Sequence, residues 1–201
     1  MARKQRIQPV QERARQMRRD LLDATVHLLE RDGAARLTTT AIASRAHVST
    51  GTFYRYFSDK GDVLAALREE TVRAISVDLM DGVARAIDLG LDDGVRLIVE
   101  TLVSAFERHR PVILAIADAT PAGTTANLLP SIEADLYPLA TVLPRRHRPD
   151  ATPAELDAIV FLSMGVLVSS CLRIALQRPP SVSRPALLDL ATTMAVSVIR
   201  G

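Results

Sequence analysis

The sequence predicts an all-α protein: an N-terminal three-helix unit containing a helix-turn-helix, followed by a C-terminal helical bundle. Two observations predict it. Nearly every apolar segment recurs at intervals of three and four residues, and no segment shows the two-residue alternation of a strand. Helix starts and stops, in the form of capping side chains, proline and glycine, fall between those segments. A third observation divides the chain. Its 201 residues carry a net charge of only +2, but residues 1–61 hold 12 Lys and Arg against 6 Asp and Glu, and the remainder holds 13 against 17. The expected domains are therefore residues 1–60 and residues 61–201.

Residues 10–31 read as the first helix, with Met17, Leu21, Ala24, Thr25, Leu28 and Leu29 on one face and Arg13, Arg15, Arg18 and Arg19 mostly off it. Gly33 is placed to end it in a left-handed conformation. Two short helices follow, at about 39–46 and 50–56. A longer one starts near Asp59, with Ser58 as its N-cap and Asp59 and Asp62 at the positive end of its dipole, and fades near Gly82. After a loop over 88–93, residues 93–108 form a helix with Val95, Ile98, Val99, Leu102, Ala105 and Phe106 on its apolar face. Pro111 opens a short helix ending near Asp118. Residues 119–126 read as a loop, and 127–143 as a helix kinked or divided by Pro130 and Pro138. The run 144–149 reads as a surface connection. Thr152, Pro153 and Glu155 form a capping box with proline at the first helical position, opening an apolar helix over 153–177 that Pro179 and Pro180 stop. The last helix covers about 184–199.

Composition narrows the function classes. Hydrophobic residues make up 48% and charged residues 24% of the chain, the balance of a soluble globular protein. No uninterrupted apolar run reaches the about 18 residues of a membrane span. The basic start, Met1 to Arg6, has no apolar stretch behind it and is not a secretory signal, so a cytoplasmic location is expected. The single cysteine, Cys171, excludes a disulfide within the chain; it is either a buried inert thiol, which its apolar surroundings favour, or a redox sensor. His27, His47, His109 and His147 are scattered without metal-ligand spacing, so no metal and no cofactor is expected. No Ser/His/Asp set, paired carboxylates or phosphate-cradling glycine loop is present, which argues against an enzyme. The head is also too poor in lysine for a DNA-packaging protein.

The informative stretch is Leu37 to Lys60. Ile42, Ala43 and Ala46 give one helix an apolar face, and small Ala43 lets a second helix cross close by. Val48 buries the turn, and Phe53 and Phe57, four apart, point inward. Ser49, Thr50, Thr52, Arg55 and Tyr56 remain outside. Hydroxyls can donate to phosphates or base edges, and arginine can bridge the two acceptors of guanine. The alternative is a small bundle whose surface merely happens to be polar.

The segment closely resembles the DNA-binding region of the tetracycline-repressor (TetR) family. Thr38-Thr39, Ile42-Ala43, Ala46, Val48-Ser49, Gly51 through Phe57 and Lys60 carry the match, over roughly residues 10–66. The resemblance implies a transcriptional regulator, a repressor by default, with double-stranded operator DNA as its partner. It implies that Thr39 binds phosphate and that Thr40 reaches a base. Ser49, Thr50 and Thr52 would face the major groove, with Gly51 allowing close approach. Tyr54 and Tyr56 would reach phosphate oxygens or a thymine methyl; their alternative is packing against the first helix. Arg55 would read a base or clamp a phosphate, and Lys60 would hold the DNA backbone. Arg3, Lys4 and Arg6 form either a DNA-contacting arm or a solubilising tail.

Two positions depart from the family pattern. His47 stands where the turn usually has glycine, so it must tolerate a left-handed backbone. Gly61 stands where the family often has glutamate, leaving the cap of the next helix incomplete.

For residues 61–201 the resemblance implies ligand binding and homodimerisation through the two last helices. Leu156, Ile159, Val160, Leu167, Leu187, Leu190 and Met194 are the interface candidates, and the apolar character of these helices on more than one face agrees. The resemblance also implies an effector cavity among the helices between 93 and 177. Phe106, His109 and Met164 are its candidates by residue type alone. The apolar surroundings lean toward a small hydrophobic effector.

Overall fold

The computed structural model describes residues 4–119 and 136–200, all helix, turn and loop, with no strand among them. In chain order the helices are α1 (Lys4–Asp32), α2 (Thr39–Arg45), α3 (Thr50–Tyr54), α4 (Lys60–Ala86), α5 (Leu91–Arg108) and α6 (Arg110–Ala119). Residues 136–140 are helical; α7 (Val142–His147), α8 (Pro153–Gln177) and α9 (Arg184–Arg200) follow. A single 3₁₀ turn, Ala34–Arg36, joins α1 to the segment before α2. The first helix extends back beyond residue 10 to Lys4. Arg3 of the expected basic arm, most of the expected loop 119–126 and the part of the 127–143 helix carrying Pro130 lie outside the described residues.

The chain forms two compact units, and they do not divide at residue 60. The first runs to Glu70 and takes in α6 from Pro111; the second holds Thr71–Arg110 and the helices from residue 136 onward. The reason is burial. Val63, Leu64, Ala66 and Leu67 from the first turns of α4, with Val112 and Ala115 of α6, share the core built by Leu21, Leu22, Leu28, Leu29, Ile42, Phe53 and Phe57. Thr25, fully buried in α1, donates to the Leu21 carbonyl at 2.8 Å, which satisfies its hydroxyl. Arg18 is half-buried: its guanidinium lies 5.3 Å from the centre of the Phe57 ring and pairs with Glu70 at 3.3 Å.

Two turns set the path of the head. Gly33 has φ 74° as expected of a helix-ending glycine, but ψ 172° is extended, so the chain leaves α1 into the 3₁₀ turn without a left-handed cap. The end of α2 is tighter. His47 N–H donates to the Ser44 carbonyl at 3.1 Å and Val48 N–H to the Ala43 carbonyl at 2.9 Å. This is a Schellman motif with His47 in its left-handed position, φ 57°. Val48 packs on the head core beside it.

In the second unit α5, α8 and α9 pack on one another. Val99, Leu102, Val103 and Phe106 of α5 are buried, as are Val168, Cys171 and Leu172 of α8 and Leu188 and Val196 of α9. The fourth helix continues past Gly82 to Ala86; a Cβ at Gly82 would meet the Thr101 side chain at 3.0 Å, so the glycine there makes room for α5 rather than ending the helix. The capping box of α8 is present, with Thr152 Oγ1 accepting from the Glu155 N–H at 3.3 Å and Glu155 Oε2 accepting from the Thr152 N–H at 2.8 Å. Those bonds from Thr152 hold the Glu155 carboxyl below its ordinary pKa. The expected surface connection at 144–149 is only partly one. Leu143 and Pro144 are buried in and next to it, and Arg148 donates to the Ile199 and Arg200 carbonyls at 3.3 and 2.9 Å, closing the end of α9. Arg110 closes α8 in the same way, at 2.9 Å from the Ala175 carbonyl. Arg184 clamps Glu107 through two oxygens at 3.1 Å and reaches Ser104 at 2.9 Å.

By length and composition α8 could cross a membrane: its most apolar 18 residues have a mean hydropathy of 2.1, and 39% of them are buried. Serines 163, 169 and 170 interrupt the apolar residues, which is why no continuous run flags it in the sequence.

Two outcomes follow. Valine at His47, being β-branched, cannot hold a positive φ without strain, so His47→Val lowers head stability by about 1–2 kcal/mol and His47→Gly does not lower it; amide exchange at Val48 and Phe53 in urea reads both. Burial pushes the Cys171 thiol up to about 12. It therefore stays protonated and unreactive toward a thiol-disulfide reagent at pH 8 until the chain is unfolded; labelling of the native protein at the rate of a free thiol would contradict this.

Candidate nucleic-acid interface

Helix α3 has five residues, too few to be stable alone, so its orientation is imposed by its ends and its one buried side chain. At its start Ser49 Oγ accepts from the Thr52 N–H at 3.0 Å. Inside, Phe53 is fully buried, its ring 5.9 Å from Phe57 and edge-on to Tyr54 at 5.4 Å. At its end the expected continuation to residue 56 is a turn, with Arg55 and Tyr56 N–H groups bonding back to Thr52 and Phe53. With Phe53 inward, Thr50, Gly51, Tyr54 and Arg55 are exposed.

The expected contact residues then fall into three groups. Thr40, Thr50, Gly51, Tyr54, Arg55 and Lys60 are exposed and free to meet a large partner. Thr39 is half-buried, and its hydroxyl lies 3.3 Å from the Tyr54 hydroxyl, joining the start of α2 to α3. Ser49, Thr52 and Tyr56 have structural duties. Ser49 is the N-cap of α3, with its oxygen also 3.0 Å from Thr52 Oγ1. Tyr56 packs on the head core under the Arg55 guanidinium, 5.8 Å from the ring centre. Of the two tyrosines, Tyr54, 57% exposed, is thus the outward one. Thr38, not singled out in the sequence, caps α2 by accepting from the Ala41 N–H at 3.1 Å.

Lys60 opens α4, and the cap there differs from expectation. Asp59, not Ser58, is the N-cap, its Oδ1 accepting from the Asp62 N–H at 2.9 Å, and Asp62 Oδ2 in turn accepts from the Ser58 N–H at 2.9 Å. The register is shifted by one residue, which puts Asp62 at the third position and makes Gly61 no defect in the cap.

Chemically, the surface from Thr38 to Phe57 offers hydroxyls, a phenol and guanidinium groups and contains no Asp or Glu. Such donors suit anionic oxygens and the acceptor edges of bases. A Cβ on Gly51 would meet only Ser49 Oγ, at 3.7 Å, so the fold does not itself require glycine there.

The second unit holds a cavity of about 60 Å³ lined by aliphatic residues of α4, α5, α7, α8, α9 and residues 136–140, among them Leu79, Val83, Leu102, Leu143, Leu167 and Ile199. Met164 lines it. Phe106 does not, being fully buried in the α5 core, and neither does His109, which ends α5. Burial pushes the His109 imidazole pKa down, with Arg108 acting in the same sense and Asp78 against it. No group of three or more His, Cys, Asp or Glu placed to hold a metal occurs among the described residues.

Of the interface candidates, Leu190 and Met194 are 60% and 50% exposed, whereas Leu156, Ile159, Leu167 and Leu187 are part-buried. Val160, 1% exposed, belongs to the unit's own core because it sits one position inside the exposed stripe. Phe161, Leu162 and Val166, 74, 56 and 38% exposed, are the outward apolar residues of α8.

The cap assignment has a direct consequence. Ser49→Ala costs about 1 kcal/mol of head stability and Thr50→Ala close to nothing, measured by urea denaturation; equal losses would contradict the capping role of Ser49.

Residues 21–67 match the bacterial regulatory proteins of the tetR family. The chain is 39% identical over 72 residues, 35% of each chain, to the HTH-type transcriptional regulator BetI of Paraburkholderia phytofirmans. It is 33% identical over 95 residues, 46% of each chain, to the nucleoid occlusion factor SlmA of Vibrio vulnificus. The chain thus spans between about a third and a half of the length of these curated relatives. Among solved structures, a tetR-family transcriptional regulator from Streptomyces coelicolor is similar with a TM-score of 0.66 and 22% identity, covering 90% of this chain and 81% of that one. The fatty acid degradation regulator FadR of Bacillus halodurans is similar with a TM-score of 0.63 and 16% identity, covering 90% and 94%. The structural likenesses establish the all-helical fold, and the sequence matches, which concern the head, establish a TetR-type N-terminal helix-turn-helix domain.

Proposed function

We propose that the chain is a ligand-responsive transcriptional regulator, a repressor by default, that binds a palindromic operator as a homodimer and is released by a small hydrophobic effector. The observation that carries this reading is the outward surface of α2 and α3. Thr40, Thr50, Gly51, Tyr54 and Arg55 are exposed on a stretch free of carboxylates, and buried Phe53 holds them outward. A helix laid in the major groove with its first residues against base edges is the docking geometry of helix-turn-helix proteins. Gly51 lets the backbone come close to the groove floor, Tyr54 and Thr39 are paired for a phosphate, and Arg55 and Lys60 supply charge. The regulator is non-catalytic, needs no cofactor or membrane, and works in the cytoplasm.

Dimerisation is supported by the exposed apolar side chains of Phe161, Leu162 and Val166 on α8 and Leu190 and Met194 on α9. A second copy covering them accounts for the hydropathy of α8 on its outer side. Gly165 lies within this stripe with nothing near its would-be Cβ, so the partner can approach the backbone there. The aliphatic cavity of the second unit is the candidate effector site, with Met164 on its wall.

Two experiments test this. Selection from a random DNA library at near-physiological salt enriches a palindrome with the parent chain. Gly51→Ala and Arg55→Ala each lower affinity for it at least about tenfold, a loss of about 1.4 kcal/mol, while the melting temperature stays unchanged. No enriched site, or equal binding by the variants, contradicts the reading. Sedimentation equilibrium finds a dimer for the parent and a monomer for Phe161→Glu combined with Met194→Glu; an unchanged dimer moves the interface elsewhere.

A further inference from the structure

The cavity of the second unit has an unusual wall. Ser163 is its one polar residue among the described lining, and the Ser163 Oγ is buried without a hydrogen-bond partner. Most helix hydroxyls among the described residues do not behave so, Ser76 Oγ of α4 being the other that is buried and unpaired. Thr25, Thr101, Thr192, Thr193 and Ser197 each donate to the carbonyl four residues back, at 2.8–2.9 Å. Ser163 has the same option at Ile159 and does not use it. A buried hydroxyl left unpaired calls for a cause, and beside an aliphatic cavity the cause can be a ligand.

The rest of the lining limits which ligand. No Lys, Arg or His is present among the described lining residues to receive a carboxylate or phosphate, and no carboxylate or aromatic ring to receive an ammonium group. Among the described lining residues neither ion finds a compensating charge. At about 60 Å³ the space is well below the roughly 150 Å³ of a cavity that holds a benzene ring, so it takes a narrow chain only as its walls change rotamer. Met164 and Leu167, unbranched at Cβ, can swing to lengthen it.

We propose that this cavity takes an uncharged, unbranched aliphatic molecule with one hydrogen-bonding group, such as a medium-chain alcohol, which pairs with Ser163. The assignment rests on the effector reading above for its purpose but not for its test. The full chain is titrated by calorimetry, without DNA, with 1-octanol, octanoate and octyltrimethylammonium. Octanol binds, and the two ions bind at least about tenfold more weakly. Ser163→Ala weakens octanol binding by about two- to tenfold, the range of one hydrogen bond. Ser76→Ala serves as the control, since Ser76 Oγ is likewise buried and unpaired but lies outside the cavity lining, and it leaves the affinity unchanged. Octanol failing to bind, an ion binding as tightly, or Ser163→Ala binding like the parent overturns the assignment. Repeating the titration against the selected operator separates the two readings: octanol bound without operator release upholds the cavity assignment and removes the effector role.

Discussion

The head depends on one constraint, that a five-residue helix must be held at a fixed orientation by residues outside it. Helix α3 gains nothing from its own length. Its placement comes from the turn before it, where His47 and Val48 bond back to Ser44 and Ala43, from the Ser49 cap, and from Phe53, fully buried against Phe57. If Phe53 rotates outward, Tyr54 and Arg55 rotate inward, and the polar surface ceases to exist. The same core takes in Val63, Leu64 and Leu67 of α4 and Val112 and Ala115 of α6, so the interface residues are anchored to more than the three helices of the motif.

The second unit solves a different problem, that of helices apolar on two sides. Inward, α8 contributes Val168, Cys171 and Leu172 to a core shared with α5 and α9; outward it leaves Phe161 74% exposed. Arginines hold the helix ends in place: Arg110 caps α8, Arg148 caps α9 and Arg184 ties α9 to α5. Each bond joins a charged donor to an oxygen at a point where backbone carbonyls or carboxylates would otherwise be left to water. The cavity lies in this unit, bounded by side chains that can change rotamer without breaking any of those ties.

Much of the head was legible in the sequence because the signals were local. The inward Phe53 and Phe57, and in the second unit the capping box at Thr152, follow from spacing and capping chemistry within a few residues, and the left-handed His47 follows from the family resemblance. What escaped was set by tertiary packing or by register. Ser58 and Asp59 both cap well, and only the helix start at Lys60 chooses between them. Tyr56 and Tyr54 are alike in type, but one lies over the core and the other over the surface. Val160 and Phe161 are adjacent apolar residues, and the 3.6-residue period over a helix apolar nearly all round does not say which faces inward. Phe106 and His109 were chosen for the cavity by type, whereas its wall is made of aliphatic residues no more conspicuous than their neighbours. The membership of α6 in the head rests on contacts with residues about fifty positions away in sequence, which no local pattern records.

The central claim is that α3 enters the major groove, twice per dimer. Methylation protection of guanine N7 on a bound operator tests it most directly, since that atom lies on the major-groove floor. The account predicts two protected clusters related by the palindrome, on one face of the DNA and separated by a whole number of helical turns. A single cluster, or protection confined to the minor groove with guanine N7 left reactive, would contradict it.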